Sequence, residues 1–439
     1  MTLASPRIVA FALAVSSLTA VPAPAHAEFI YARLVPGQGL QANGDSSAVD
    51  VSSDGRTVVF ASGATNWVSG DAYNGNRAVA IDLATGVIEV VSRTQTGTVL
   101  RGEKPAVSGN GRYVAFLTLG SPLGPSWQVG RKDRVTGELA LVSSSSAGAV
   151  ANAGTDDDTV SISADGRYVA FESASTNLGV AAGSWPEIFV KDLQTGALEM
   201  ASVKPDGTPS SGKCTLEPHA LTDNGRYLAF VCEVDITGGS AYAQLYVRDL
   251  QNDTTELASR VGATGASSTA IVYRPAMSAD GRFASFQTRG YGGLGYAAGN
   301  VESNSGIYLR DRQAQTTIAI PRPAEIPSTD YDNCGVSAVS NVASVVLSCG
   351  VRIGSTTVPQ MFLFIPGQGA PTRLTGSAGT PGNGTSGNSI AVNASALSMA
   401  FESAASNLDP QDTNGFSDIF VLIEESLLDD RLFANGFEN

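Results

Sequence analysis

The stretch SADGRYVAF at residues 163–171 recurs along the chain. It reads SSDGRTVVF at 52–60, SGNGRYVAF at 108–116, TDNGRYLAF at 222–230 and SADGRFASF at 278–286. Two decayed copies follow, VSNVASVVL at 339–347 and NASALSMAF at 393–401. The last apolar residues are Phe60, Phe116, Phe171, Phe230, Phe286, Leu347 and Phe401, so the period stays between 54 and 61 residues. Seven copies at a near-constant period make a repeat array. This overrides the several separate domains that 439 residues would otherwise suggest.

Each copy reads as the end of one strand, a turn and the start of the next. Asp-Gly or Asn-Gly supplies the positive-φ residues of a tight hairpin. The alternation in Arg-Tyr-Val-Ala-Phe suits a strand with one buried face. A second motif follows after a loop, as in EIFVKDLQTGALEMAS at 187–202 and QLYVRDLQNDTTELAS at 244–259. It contributes a third strand, a turn around Gln-Thr-Gly and a fourth strand. Four antiparallel strands (A to D) per repeat of about 55 residues form a propeller blade. The predicted fold is a single all-β, seven-bladed β-propeller, with six blades as the alternative count.

The ends fit closure of a ring. The last repeat has strands A, B and C but no D. Near the other end lies an orphan strand, residues 29–34 (FIYARL), followed by QANG at 41–44. It aligns with the D strand that precedes Ala151-Asn152. Pairing this orphan with residues 419–422 would close the ring and remove the exposed sheet edges.

Composition sets the remaining bounds. The chain is 43% hydrophobic and 15% charged, with 48 glycines and a net charge of −14. That balance argues against nucleic acid and anionic membrane surfaces, which require clustered Lys and Arg. Residues 1–27 read as a secretory signal peptide. Arg7 is the only charge, an apolar run spans 8–18, and Ala25-His26-Ala27 places small residues at the cleavage positions. No later segment holds the ~20 apolar residues of a membrane span. The expected organisation is a signal peptide at 1–27, a propeller at 28–423 and a tail at 424–439, in a protein exported to the periplasm or beyond the cell. Four cysteines in an exported chain predict disulfides. Cys232 and Cys349 hold equivalent positions after strand B, while Cys214 and Cys334 lie upstream near strand A. The predicted pairs are Cys214–Cys232 and Cys334–Cys349, each within one blade.

The SADGRYVAF copies and the IFVKDLQTG segments resemble the repeats of TolB-type β-propellers, over essentially residues 28–423. That resemblance implies the fold. It leaves function open, because such propellers host binding proteins and enzymes alike. TolB-type propellers commonly have six blades, and TolB itself carries an additional α/β domain, so a role in the Tol system is not carried over.

Functional candidates concentrate on the face formed by the B–C and D–A connections, which are long, as in 172–186 and 203–218. Trp67, Trp127 and Trp185 fall in B–C segments and form a candidate stacking platform for a sugar or peptide. The alternative is packing between blades. Asp409, Asp412, Asn414, Gly415 and Asp418 in DPQDTNGFSD resemble part of a calcium loop, with a poorer echo at Asp71, Asn74 and Gly75. The alternative is a turn capping strand C. Asp156, Asp157 and Asp158 form a further acidic cluster. His219 is the only histidine after the leader, so a multi-histidine metal site is excluded. No nucleophile elbow or phosphate loop is present. The expectation is an exported, non-catalytic propeller that binds a protein, peptide or glycan. The alternative is a hydrolytic or carbohydrate-active enzyme using carboxylates at the central channel. No cofactor is expected apart from Ca2+ at the aspartate loop.

Overall fold

The computed structural model describes residues 29–424 apart from 37–39, 121, 155–158, 180–184, 235, 238–241, 264, 266, 290–293, 295–304, 328–333 and 377–379. Residues 1–27, read above as a signal peptide, the Asp156–158 cluster and the tail beyond Glu424 lie outside the described residues. The described residues form seven four-stranded antiparallel sheets and no helix. Six blades are contiguous in sequence, spanning 46–90, 103–141, 160–200, 214–257, 271–319 and 334–373. The seventh comprises Ser386–Val392, Ser398–Ser403 and Asp418–Glu424, completed by Phe29–Arg33. In that pairing Phe29 faces Glu424, Tyr31 faces Leu422 and Arg33 faces Phe420. The ring is therefore seven-bladed and closed by the N-terminal strand.

The repeat motif has a precise local cause. In blade 3, Ser163 Oγ donates to Asp165 Oδ1 at 2.6 Å and accepts the Tyr168 N–H at 3.0 Å, while Asp165 Oδ1 accepts the Arg167 N–H at 2.9 Å. Ser52, Ser108, Thr222 and Ser278 repeat the arrangement. The left-handed residue is the glycine alone, as at Gly166 (φ 70°), so each hairpin needs one positive-φ residue rather than the two expected of Asp-Gly. The apolar residue closing each motif is fully buried. Phe171 stacks on Phe189, Phe286 on Tyr308 and Phe401 on Phe420 at centroid separations of 5.8, 5.4 and 5.5 Å. These rings fill the spaces between blades.

Both disulfides form as expected. Cys214–Cys232 and Cys334–Cys349 each join strands A and B of one blade. The B–C connections are not uniformly long. In blade 2, strands Tyr113–Gly120 and Gly124–Asp133 meet in a tight hairpin, and in blade 6 Val345–Ile353 and Thr356–Phe364 do the same.

Candidate functional site

The innermost strand of every blade contributes to an axial channel. Its cavity, about 50 Å³, is lined mostly by small apolar side chains such as Ala106, Ile162, Ala276 and Val392. Two acids and the histidine interrupt this lining: Asp50, Asp223 and His219. Asp50 stands where blades 2, 4, 5 and 6 have Ala106, Ala220, Ala276 and Ala338. Its carboxylate accepts the Val51 N–H at 2.5 Å and, from the next blade, the Val107 N–H at 2.7 Å. His219 Nε2 of blade 4 lies 3.3 Å from Asp50 Oδ1. Burial pushes the Asp50 pKa up, opposed by His219 and by the two N–H donors. Asp223 accepts a hydrogen bond from Ser53 Oγ at 2.8 Å, and burial raises it as well. Blades 1 and 4 lie on opposite sides of the ring, so both contacts cross the axis.

The A–B-turn end of the channel is closed further by backbone. Gly109 N donates to Ala164 O, Ala164 N to Asp223 O, and Asp223 N to Ala279 O, at 3.1, 2.9 and 2.8 Å. Asp54 N to Gly109 O and Asn341 N to Ala394 O extend this belt into blades 1 and 7. With the Ser53–Asp223 bridge, this leaves the long-loop side as the open approach.

The long-loop face is built by cross-clasped loops. In blade 1, Asn43 Nδ2 donates to Thr65 Oγ1 at 2.9 Å, the Thr65 N–H returns to Asn43 Oδ1 at 2.8 Å, and Asn66 Nδ2 reaches Gln41 O at 2.7 Å. Asn152 with Thr176 and Asn177, and Asn383 with Ser406 and Asn407, repeat the clasp in blades 3 and 7. The D–A and B–C loops of those blades are thereby locked together.

The tryptophans separate. Trp67 is 3% exposed, donates from Nε1 to Ser62 Oγ at 2.8 Å and meets Phe60 edge-on at 4.9 Å. Leu178 and Leu408 follow Asn177 and Asn407 as Trp67 follows Asn66, and both are buried. Trp67 is thus the core anchor of a clasped loop, not part of a platform. That alignment was visible in the sequence. Trp127 lies on strand C of blade 2, opposite Leu119, with the Arg101 guanidinium 4.9 Å from its ring. Trp185 is 48% exposed on the long-loop face. Tyr242 and Phe416 are exposed there too, and sequence reasoning passed over both.

The aspartate loop is brought together around an arginine. Arg33, at the end of the closing strand, places Nε 2.7 Å from Asp409 Oδ2 and Nη1 3.1 Å from Asp418 Oδ2 and 3.7 Å from Asp412 Oδ1. All four side chains are at most 5% exposed. Asn414 Nδ2 donates to Asp418 and to Ala42 O. A guanidinium holds the place where a calcium ion would sit, so this donor set does not fit the cation. Asp71 likewise pairs with Arg77 at 2.8 Å.

A third charged group was missed by sequence reasoning. Lys104 and Arg274 lie on the inner strands of blades 2 and 5, Glu217 lies two residues beyond the short inner strand of blade 4, and each is followed by proline: Lys104-Pro105, Glu217-Pro218 and Arg274-Pro275. Lys104 (φ 44°) and Arg274 (φ 48°) are left-handed and sit at register shifts in their strands. The Glu217 carboxyl feels both cations, which offset part of the upward push of its burial.

No protein-family model and no curated protein matches the chain. Solved structures do. An oligogalacturonate lyase in complex with manganese is 12% identical, over 95% of this chain and 100% of that one, with a TM-score of 0.53. The β-propeller domain of the Trilobed protease from Pyrococcus furiosus is 10% identical over 88% and 96%, with a TM-score of 0.50. A putative TolB from Agrobacterium tumefaciens is 13% identical over 64% and 82%, with a TM-score of 0.39. At these identities the likeness is one of fold. Taken with its seven repeats, the chain is a seven-bladed β-propeller.

Proposed function

We propose that this protein is an exported, non-catalytic propeller that binds a protein, peptide or glycan on its long-loop face. One observation carries the reading: the acids that would serve catalysis are engaged internally, Asp50 by two backbone N–H groups and His219, Asp223 by Ser53, and Asp409, Asp412 and Asp418 by Arg33. The clasped loops favour a preorganised surface, and Trp185, Tyr242 and Phe416 supply exposed aromatic area on it. The two disulfides and the leader-like residues 1–27 favour an oxidising compartment.

The test is a glycan and peptide array probed with the purified protein and with a Trp185→Ala/Tyr242→Ala variant of unchanged melting temperature. Hits weakened by roughly tenfold or more in the variant are expected. Hits that ignore both substitutions would place recognition elsewhere and overturn the reading. A second reading, hydrolysis at the channel, is favoured by the convergence of Asp50, Asp223 and His219 on one cavity. The lyase and the protease named above show this fold within enzymes. Turnover of any array ligand that is abolished by Asp50→Asn would establish that reading and end the first.

A further inference from the structure

The axial channel is crossed by the Asp50–His219 and Ser53–Asp223 contacts, and the belt of backbone hydrogen bonds girdles its A–B-turn end, so a ligand would enter its narrow shaft from the long-loop side. Strand A of each blade runs from the D–A loop toward the A–B turn. Lys104, Glu217 and Arg274 precede the cavity-lining residues of their blades on the long-loop side, which puts them at the mouth. Blade 3 separates blades 2 and 4, so Lys104 and Glu217 can interact directly only over the axis.

Two features mark this rim as more than a solvated edge. Lys104 and Arg274 occupy the left-handed bulge position of their strands, which Ala48 fills in blade 1, so the bulge recurs between blades while the cation is particular to blades 2 and 5. A β-bulge re-aims the side chain it carries. Buried Pro105 and Pro275 fix the backbone immediately behind each cation. Arg274 also has a prepared seat. Its Nη1 lies where a Cβ on Gly335 of blade 6 would stand, and any larger residue there would displace it. Beside that seat Gln287, 1% exposed, keeps Oε1 buried without a hydrogen-bond partner.

We propose that the mouth of the channel is a carboxylate-binding site, formed by Lys104 and Arg274, that takes the C-terminal end of a polypeptide with a small apolar last side chain entering the shaft. Glu217 is the internal occupant of the cationic pair, and the incoming carboxylate displaces it. The shaft favours a small last side chain, because its cavity is only about 50 Å³. The two cations select a free carboxylate over an amide, since charge-assisted hydrogen bonds are the strong ones. This inference rests on the reading that ligands approach from the long-loop face.

The experiment is calorimetric titration of the purified protein with matched peptides ending in Ala-Val, as the free acid and as the C-terminal amide. The acid should bind and the amide should bind roughly tenfold or more weakly. Lys104→Gln/Arg274→Gln should erase that preference. Glu217→Gln should tighten the acid form, because it removes the internal competitor, whereas a merely structural Glu217 would give equal or weaker binding. Equal affinity for acid and amide, or no binding of either, overturns the carboxylate site. If equal binding is still lost in Trp185→Ala/Tyr242→Ala, the long-loop face stands and only the rim assignment falls.

Discussion

Glu187 occupies the first position of strand C, where blades 2, 4 and 6 carry Gln128, Gln244 and Gln360. Each glutamine accepts from a hydroxyl two residues beyond strand D, with Ser143, Ser259 and Thr375 at 2.6, 2.7 and 2.8 Å. Each also donates its amide to a D–A carbonyl, at Ala151, Ser268 and Gly382. Glu187 keeps the first bond, from Ser202 at 2.5 Å, but an ionised carboxylate has nothing to donate, and its Oε1 is buried without a partner. Burial pushes its pKa up to about 7, opposed by the Ser202 bond. The folded value lies above the unfolded one, so the folded state binds the extra proton. The stabilisation is complete below about pH 4 and lost as pH rises through about 7. Glu187→Gln should therefore match the wild type at pH 4 and exceed it by roughly 1–3 kcal/mol at pH 8. Urea midpoints at the two pH values check this, and a variant less stable at pH 8 would refute it.

Within a blade, one arginine and one aspartate tie the two turns together. Arg112, Arg167, Arg226 and Arg282 each reach the aspartate that ends strand C, at 2.7 to 2.8 Å. Each also lies over the aromatic ring that follows it, at 4.7 to 4.9 Å. The aspartates cap the C–D turns as well; Asp192 Oδ1 accepts the Gln194 and Thr195 N–H groups. Blades 6 and 7 lose both partners together: the blade 6 turn is one residue shorter and has no residue at the arginine position, with Ile365 in place of the aspartate, and blade 7 has Leu397 and Ile423. They also replace the turn glycine by Ala343 and Ala396, which still adopt φ of 66° and 63°. Ala343→Gly and Ala396→Gly should each raise stability by roughly 0.5–1 kcal/mol, as relief of left-handed strain outweighs the entropy of glycine. Thermal melts of the single and double variants test it, and an additive rise is expected because the sites are in different blades. A fall in either single variant would mean these turns carry no strain. The blades, their count, the closing strand and both disulfides were legible because each copy restates the same turn chemistry and the period aligns one copy with another. The candidate site was legible only in part. Of the two readings open for Trp67, packing is the one realised, and Leu178 and Leu408 at equivalent positions already pointed to it, since an aromatic side chain in a loop does not by itself disclose its burial. The Lys104, Glu217 and Arg274 rim escaped because it meets across the axis, where three distant stretches of chain converge and no local pattern reports it.

At the scale of the ring, everything depends on one seam. Six blades close their own sheets, whereas the seventh borrows Phe29–Arg33, so release of that strand would open the ring and expose an edge of Asp418–Glu424. Arg33 is the lock on this seam, since its guanidinium joins the borrowed strand to Asp409 and Asp412 in the B–C loop and to Asp418 at the start of strand C. Three buried acids share one buried base, and the imbalance shows in the Asp418 pKa, which burial raises to about 6 against the pull of Arg33. The linkage sign is that of Glu187: the net contribution of Asp418 to stability is complete below about pH 4 and is lost as pH rises through about 6, although the Arg33 contact itself is the stronger to the ionised carboxylate. Removing the arginine leaves the acids without a countercharge, which is worse than never having built the pair. Arg33→Met should cost about 3–5 kcal/mol at pH 7, and less at pH 4, where the acids can take up protons. The loss should begin locally, with amide exchange at Tyr31 and Ala32 accelerating before exchange in blades 3 to 5. A variant that lost less than about 1 kcal/mol, or whose exchange rose uniformly around the ring, would show that backbone pairing alone holds the seam and that the arginine is incidental to closure.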